Sequence, residues 1–246
     1  MNEKKVALVI GGTGGIGHAI TKLFLEQRVR VYATYYKNQA KAKNMEKISK
    51  ECRTVKCDIR KGENVKEIVE HIEDNESRLD IVVNASTSNL KLKPFESLTL
   101  DEFSDDINVI LMGSINVFKH VVPIMKKNRS GIIIVLLTST IVNGPPKRMS
   151  SYVAAKSGLL GLMRSVAKEV ERFNIRVLGI SPSFVETELI KAFPQKLLEI
   201  EKEKQPEMTF IQPEDIADMV MKLVADCKRY PNGENTVLNT RRDVLK

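Results

Sequence analysis

Short apolar runs, rich in β-branched residues, alternate with longer amphipathic stretches along the chain, and this alternation strongly limits the possible folds. The runs predict strands and the stretches predict helices. The predicted strands are Val6–Ile10, Val29–Tyr35, Arg53–Cys57, Leu79–Asn84, Ile132–Thr138, Ile175–Ile180 and Thr236–Leu238. The predicted helices are Ile16–Gln27, Asn38–Glu51, Glu63–Asn75, Leu100–Asn128, Tyr152–Phe173 and Pro213–Asp226. About seven strands alternating with helices are typical of a doubly wound α/β sheet whose strands are parallel.

The domain organisation follows from the same pattern. No repeat, low-complexity segment or linker divides the 246 residues, so we expect a single domain over residues 1–246. Residues 183–208 have no clear periodicity. We expect them to form an irregular insertion that covers a site as a lid, because long insertions in compact domains often do so.

Composition excludes several classes of function. The net charge is +8, yet only 5% of the residues are aromatic and there is no Trp, so we expect no nucleic-acid partner. No apolar run approaches the roughly 18 residues that span a bilayer, and no signal-peptide cleavage site follows the N-terminus, so we expect no membrane segment. The three cysteines lack CxxC spacing and the three histidines lack metal spacing. We therefore expect no metal site and a cytoplasmic location.

A glycine-rich turn, 11–17, directly follows the first predicted strand and opens the first helix. Glycines allow positive φ and let a pyrophosphate come close to the backbone. The helix N-terminus then offers free N–H groups to the phosphates. A tight strand–helix turn without a ligand is the alternative. No Gly-Lys-Ser/Thr sequence follows, which excludes a P-loop.

Tyr152 and Lys156 are four residues apart on a predicted helix and therefore share one face. Such a pair can also occur by chance on an exposed face. Its position is more informative, because the helix follows a buried strand and starts near the carboxyl edge of the sheet, where ligands bind. Ser139 directly follows that strand. Asn108 lies in the middle of the preceding helix, where a polar side chain needs a partner or a role.

With these motifs in this order, the chain resembles the short-chain dehydrogenase/reductases, which have a Rossmann-type fold, and is most similar to their 3-oxoacyl-[acyl-carrier-protein] and acetoacetyl-CoA reductases. The resemblance covers about Lys5 to Val237. It implies a catalytic tetrad of Asn108, Ser139, Tyr152 and Lys156. It also implies that the cofactor is bound by Gly11, Thr13, Gly15, Ile16, Gly17, Lys37, Asp58, Asn84, Ala85, Tyr152, Lys156, Pro182, Val185 and Thr187.

The activity implied by the resemblance is NADPH-dependent reduction of a carbonyl, above all of a 3-oxoacyl thioester to the 3-hydroxyacyl form, with Tyr152 as general acid. Lys156 would hold the nicotinamide ribose, and a cation about 4 Å away could lower the tyrosine pKa by about 3 units. Ser139 would donate a hydrogen bond to the carbonyl oxygen, and Asn108 would hold a water of a proton relay. The alternatives are a non-catalytic sensor or scaffold that binds the cofactor, or a reductase of another small ketone (sugar, steroid or polyketide).

The cofactor preference depends on the end of the second predicted strand. An NAD enzyme usually has an acidic residue there to hold the ribose 2′-OH. This chain reads Tyr35-Tyr36-Lys37 instead. Lys37 could pair with a 2′-phosphate, so NADP(H) is favoured over NAD(H), although Lys37 could also be a solvated lysine. At Ser86, Ser183 and Asn239-Thr240 the chain departs from the family's glycines, which leaves open the effect on cofactor affinity and assembly.

Two kinds of partner are implied by the resemblance. The first is a second copy of the chain in a homo-oligomer, most simply a tetramer, packed through Leu100–Asn128 and Tyr152–Phe173. The small and apolar residues of Gly158–Met163 suit such a helix contact. The second is an acidic acyl carrier protein that binds basic residues near two helix ends. These residues are Lys126, Lys127, Arg129 and Arg172. Basic residues at helix C-termini also favour the helix dipole without a partner, and coenzyme A is the alternative carrier.

Overall fold

The computed structural model describes residues 4–245 of the predicted domain, so residues 1–3 and 246 lie outside the described residues. Within residues 4–245, seven parallel strands form one sheet in the order β3-β2-β1-β4-β5-β6-β7. They are β1 Val6–Ile10, β2 Arg30–Tyr35, β3 Cys52–Lys56, β4 Ile81–Asn84, β5 Gly131–Leu136, β6 Ile175–Pro182 and β7 Asn235–Leu238. The seven predicted strands and the doubly wound fold class are confirmed.

Helices cover both faces of the sheet. They are α1 Gly15–Glu26, α2 Gln39–Glu46, α3 Gly62–Glu76, α4 Leu100–Asp106, α5 Gly113–Asn128, α6 Thr140–Asn143, α7 Ser150–Val170, α8 Gln195–Glu203, α9 Pro213–Ala225 and α10 Arg242–Leu245. Buried residues of α3, α5 and α7 form the core on one face, and those of α1 and α9 form the core on the other.

Strand β1 shows how the sequence produces the two layers. All five of its residues are buried. Leu8 faces the layer of α3, α5 and α7, whereas Ala7 and Val9 face the layer of α1 and α9, because successive side chains of a strand point to opposite faces. The strand order reverses between β1 and β4, and this reversal opens a crevice at their carboxyl ends, where ligands of such sheets bind.

The helix predicted for Asn38–Glu51 is shorter than expected, because α2 ends at Glu46. A turn follows, in which the Cys52 amide donates to the Ser49 carbonyl at 3.0 Å and the Ser49 hydroxyl accepts from the Glu51 amide at 3.1 Å. Serine favours such local bonds over a continued helix. The turn brings Cys52 into β3.

The long helix predicted for Leu100–Asn128 contains a π-helical segment, Ile107–Met112, between α4 and α5. The Ser114 hydroxyl donates to the Ile110 carbonyl within this region, and a side chain that enters the backbone ladder in this way disturbs regular helix geometry. Among the described residues this is the one helix long and apolar enough, by length and composition, to cross a membrane. Its buried residues pack in the core beside α3 and α7, on the face of the sheet that those helices cover.

Residues 183–208 are not the irregular insertion that we expected. They contain a 3₁₀ turn, Glu188–Ala192, and helix α8. A small apolar cluster holds the segment: the Phe184 ring lies 5.2 Å from that of Phe193 and 5.2 Å from that of Phe210. We call residues 183–208 the flap. The aromatic contacts explain its order, because each pair adds stabilisation beyond the burial of apolar area.

Candidate active site

The glycine turn forms a cradle at the carboxyl end of β1. Gly11 has φ +72°, which favours glycine. A Cβ at Gly17 would lie 2.2 Å from the Gly11 carbonyl oxygen, and one at Gly15 would lie 2.7 Å from a Thr187 methyl group. Thr13 is buried within the turn. Among the described side chains none caps the N-terminus of α1, so its dipole and amides face the crevice.

A positively charged edge lies beside the ends of β2 and β3. The Lys37 ammonium and the Arg60 guanidinium each lie 5.4 Å from the centre of the Tyr36 ring. Arg60 also donates to the Tyr36 hydroxyl and to both oxygens of Asp58, each at 2.8 Å. Arg60 thereby lowers the pKa of Asp58. Sequence reasoning missed Arg60, although it lies only two residues beyond Asp58.

Tyr152 and Lys156 lie on the inner face of α7, where their exposed fractions are 8% and 2%. The Lys156 ammonium donates to the Leu136 carbonyl at 2.6 Å and lies 5.9 Å from the centre of the Tyr152 ring. Burial raises the pKa of Tyr152 to about 12 and lowers that of Lys156 to about 7. The expected lowering of the Tyr152 pKa by Lys156 is not found: burial dominates that pKa, and the hydrogen bonds that lower it come from Thr138 and Thr87.

Hydroxyl groups surround Tyr152 at the ends of β4 and β5. Ser139 is buried, and its amide donates to the Pro182 carbonyl at 2.9 Å. Hydrogen bonding to Thr138 and Thr87 lowers the pKa of Tyr152, against the larger effect of burial. Sequence reasoning overlooked both threonines, although Thr138 ends a predicted strand and Thr87 follows the Asn84-Ala85 step.

The structure does not bring Asn108 close to Tyr152 and the hydroxyl groups around it. Its side chain is exposed on the π-helical segment and does not line the cavity beside Tyr152. Ile110, two residues further on, is fully buried instead. The buried positions of this segment, Asp106, Ile110 and Ser114, recur every four residues as on a regular helix, and Asn108 lies on the opposite side. Asn84, by contrast, is buried and donates to the Ser114 hydroxyl at 2.8 Å.

A cavity of about 340 Å³ lies between the carboxyl ends of the strands and the flap. Eight of the predicted site residues line it: Ile16, Ala85, Ser139, Tyr152, Lys156, Pro182, Val185 and Thr187. Apolar side chains contribute most of the remaining wall, among them Leu90, Leu137, Met149, Phe184, Phe193 and Leu197. The cavity therefore joins the polar group around Tyr152 to a mainly apolar chamber.

The departures from the family's glycines are accommodated by local hydrogen bonds. The Ser86 hydroxyl donates to the Asn84 side-chain oxygen at 2.7 Å. The Ser183 amide donates to the Leu238 carbonyl at 2.8 Å, and the Asn239 side chain accepts from Asn143 at 2.6 Å. The serines line the cavity without closing it.

Comparisons with known proteins agree with this geometry. A family profile described as enoyl-(acyl carrier protein) reductase matches residues 11–240. The 3-oxoacyl-[acyl-carrier-protein] reductase FabG of Thermotoga maritima is 31% identical over 241 residues, which cover 94% of this chain and 95% of that protein. The FabG of Chlamydia trachomatis is 31% identical over 236 residues, 94% of each chain. The chain belongs to the short-chain dehydrogenase/reductase family.

Solved structures share the fold of this short-chain dehydrogenase/reductase. Levodione reductase superposes with a TM-score of 0.89 at 23% identity, over 98% of each chain. The structure described as ElxO with NADP bound has a TM-score of 0.87 at 21% identity, over 99% of this chain and all of that one. The predicted family and fold are confirmed, and the protein is an oxidoreductase.

The residues present fit a nicotinamide dinucleotide. An added Cβ would clash with the Gly11 carbonyl at Gly17 and with the Thr187 side chain at Gly15, so the turn accommodates only glycine at both positions. The uncapped N-terminus of α1 suits a pyrophosphate, and the edge of Lys37 and Arg60 suits a further phosphate.

Proposed function

We propose that the protein is an NADPH-dependent reductase that converts a 3-oxoacyl thioester to the 3-hydroxyacyl thioester. One observation carries the proposal. Tyr152, Lys156 and Ser139 line a single, mainly apolar cavity next to the phosphate cradle. The names of the FabG relatives support the substrate class.

Binding of the cofactor involves both ends of the crevice. The glycine turn would hold the pyrophosphate, Lys156 the nicotinamide ribose, and Lys37 with Arg60 the 2′-phosphate, which favours NADP(H) over NAD(H). The remaining contacts would come from Thr13, Ile16, Asp58, Asn84, Ala85, Pro182, Val185 and Thr187. The bound nicotinamide supplies the hydride.

Proton donation is the task of Tyr152. With a pKa of about 12 its phenol is protonated at neutral pH and can give its proton to the oxygen of the carbonyl as negative charge develops there. Ser139 donates a hydrogen bond to the same oxygen and stabilises that charge. Phe184 and Phe193 of the flap line the cavity and would reduce the access of water to the reacting groups.

The apolar chamber supports an acyl substrate. Leu90, Met149 and Leu197 form an apolar part of the wall that an acyl chain can contact, beside the hydroxyls around Tyr152. The volume of about 340 Å³ is close to the lower end of ligand pockets, and the nicotinamide would occupy part of it, which favours a short acyl chain.

Delivery by an acidic acyl carrier protein is supported by a cluster of cations. Lys126 and Arg172 each lie 4.9 Å from the centre of the Phe173 ring, and Arg129 lies 6.0 Å from it. We call these three cations the basic cluster. Lys127, the fourth predicted residue, is not part of the basic cluster, because it forms an ion pair with Glu73 at 2.6 Å. The protein would act in the cytoplasm as a homo-oligomer, most simply a tetramer.

The decisive experiment measures consumption of NADPH by the purified protein with three substrates. We expect turnover of acetoacetyl-CoA and much slower turnover of crotonyl-CoA and of a small cyclic ketone. Crotonyl-CoA is included because the matched family profile is described as an enoyl reductase. If crotonyl-CoA is reduced faster than acetoacetyl-CoA, the protein is a double-bond reductase. If the cyclic ketone is reduced faster, the protein is a reductase of another ketone.

The same assay separates the enzyme from a scaffold and tests the cofactor. NADPH binding without turnover of any substrate in a wider ketone panel would support a non-catalytic sensor. We expect NADPH to bind more tightly than NADH. Equal affinities would contradict the roles of Lys37 and Arg60.

A further inference from the structure

Asp106, the last residue of α4, is a buried carboxylate that the reaction described above does not use. Its exposed fraction is 1%. One oxygen accepts a hydrogen bond from the Ser151 hydroxyl, and the other has no hydrogen-bond partner among the described residues. Burial of a carboxylate with so few hydrogen bonds is costly, and an apolar side chain would avoid that cost. The position therefore calls for a functional reason.

The partner of Asp106 lies directly beside the reacting group. Ser151 is in the first turn of α7, immediately before Tyr152. Among the described residues, α7 has no acidic side chain in its first turn and no side-chain cap at Met149. Asp106 thus supplies, from a different helix, the negative charge that a helix N-terminus favours.

The charges around Tyr152 come from two helices. Asp106 of α4 raises the pKa of Tyr152, in the same direction as burial. Lys156 of α7 is directed to the Leu136 carbonyl of β5. The groups that face Tyr152 from the loops after β4 and β5 are the neutral hydroxyls of Thr87 and Thr138.

The neighbour of Asp106 takes no part in this arrangement. Asp105 points to the other side of α4, where it lies 2.9 Å from Lys91 and 3.8 Å from Arg60. The two adjacent carboxylates therefore have separate environments, and only Asp106 reaches α7.

We propose that Asp106 is a positioning residue for the reduction: it holds the first turn of α7 through Ser151, and its carboxylate places a negative charge beside Tyr152 that disfavours tyrosinate. This inference rests on the proposed function for its catalytic meaning. The effect of Asp106 on the ionisation of Tyr152 does not depend on any substrate and can be measured without one. Asp106, rather than Asn108, is then the polar side chain of the long helical segment that serves the site.

The test is an ultraviolet titration of tyrosinate in the whole protein, with Tyr152→Phe subtracted to isolate the signal of Tyr152. In Asp106→Asn the side chain keeps its shape and loses its charge. Because a negative neighbour disfavours tyrosinate, we expect the midpoint to fall by roughly one pH unit. The ionised fraction at a fixed alkaline pH below the midpoint would then rise about tenfold.

Ser151→Ala is the matched control, since it removes the hydrogen bond but leaves the charge. We expect an unchanged tyrosinate midpoint and a several-fold loss of kcat with an unchanged KM for acetoacetyl-CoA. An unaltered midpoint in Asp106→Asn overturns the proposal. If Asp106→Asn does not fold, wild-type kcat in Ser151→Ala overturns it.

Failure of the proposed function would be recognised separately. A protein inactive on all ketones whose tyrosinate midpoint still falls in Asp106→Asn would refute the reductase and retain the control of Tyr152 by Asp106. An active reductase whose tyrosinate midpoint is unchanged in Asp106→Asn would retain the proposed function and refute the control of Tyr152 by Asp106.

Discussion

Tyr152 lies where burial, hydroxyl groups and one carboxylate act together on its proton. Burial raises its pKa to about 12, so the phenol stays protonated throughout the neutral range. In carbonyl reduction the protonated form donates, so ionisation of Tyr152 itself would remove activity only as the pH rises toward that pKa. Oxidation of the alcohol needs the tyrosinate and would therefore increase with pH. Burial therefore keeps Tyr152 in the form that can donate a proton and disfavours the tyrosinate that would accept one.

Replacement of Tyr152 by phenylalanine tests this role. The change removes the proton donor and keeps the ring that packs at the start of α7. We expect kcat to fall by about 10²–10⁴, the usual contribution of general acid catalysis. Stopped-flow or steady-state assays with acetoacetyl-CoA would measure the loss. A fluorescence titration should show nearly wild-type NADPH affinity, and a variant that keeps more than about a tenth of kcat would remove Tyr152 from the mechanism.

The strand–turn–helix unit from β1 to α1 is held by close approach of its own backbone. Gly17 is packed against the Gly11 carbonyl, which cannot move without disturbing the end of β1. Gly14, in the same turn, has an ordinary φ of −78°, and its added Cβ would lie 3.3 Å from the Gly11 oxygen. The two glycines thus differ in how strictly the turn requires them.

We expect Gly17→Ala to weaken NADPH binding at least tenfold and to destabilise the fold by about 1–3 kcal/mol, as overpacking does. Gly14→Ala should do much less, because its Cβ needs only a small shift. Isothermal titration with NADPH and urea denaturation would measure both effects. Equal losses of NADPH affinity and stability in the two variants would show that a general disturbance of the helix, and not contact with the Gly11 carbonyl, causes them.

The surface of the whole molecule presents two regions that suit partners: the basic cluster and the outer face of α7. On α7, Gly158 packs against Leu111 within the chain, whereas an added Cβ at Gly161 would meet no described atom within 4 Å. Gly161 is exposed on the same face as Ala154 and Ser157. Small exposed residues allow two helices to approach closely.

Gly161→Leu separates an assembly contact from a folding contact. Within one chain the leucine has room, and loss of a helix glycine should stabilise α7 by roughly 1 kcal/mol. If α7 packs against its copy, the same leucine should reduce the mass measured by light scattering from that of the oligomer toward 27.7 kDa. An unchanged oligomer mass would place the assembly contact elsewhere.

Charge reversal at the basic cluster tests the carrier protein. Arg129→Glu with Arg172→Glu should raise KM for an acyl-carrier substrate several-fold and leave KM for a small 3-ketoester unaltered, because attraction between exposed charges steers association. Lys43→Glu in α2, combined with Lys47→Glu directly after that helix, makes the same change of net charge across the sheet as a control. The effect should decrease with added salt. Equal changes for both substrates would favour coenzyme A or another small compound.

Local patterns were sufficient for the features that depend on neighbours in the chain. The seven strands follow from β-branched runs and the phosphate turn from its glycines. Tyr152 and Lys156 share one face because they are four residues apart on a helix. These patterns also indicated the family, since the motifs occur in order along one continuous domain.

Tertiary packing decided what spacing could not. The resemblance implied a role for Asn108, but the packing of the long helical segment against α7 buries Asp106 beside Ser151 and leaves Asn108 exposed. The flap is ordered through the contacts of Phe184 with Phe193 and Phe210, which are distant in sequence from the strands it covers. The protonation of Tyr152 likewise depends on burial, a property of the folded molecule. The sequence determined the frame and the reacting pair, and the packing of distant segments determined the environment in which that pair acts.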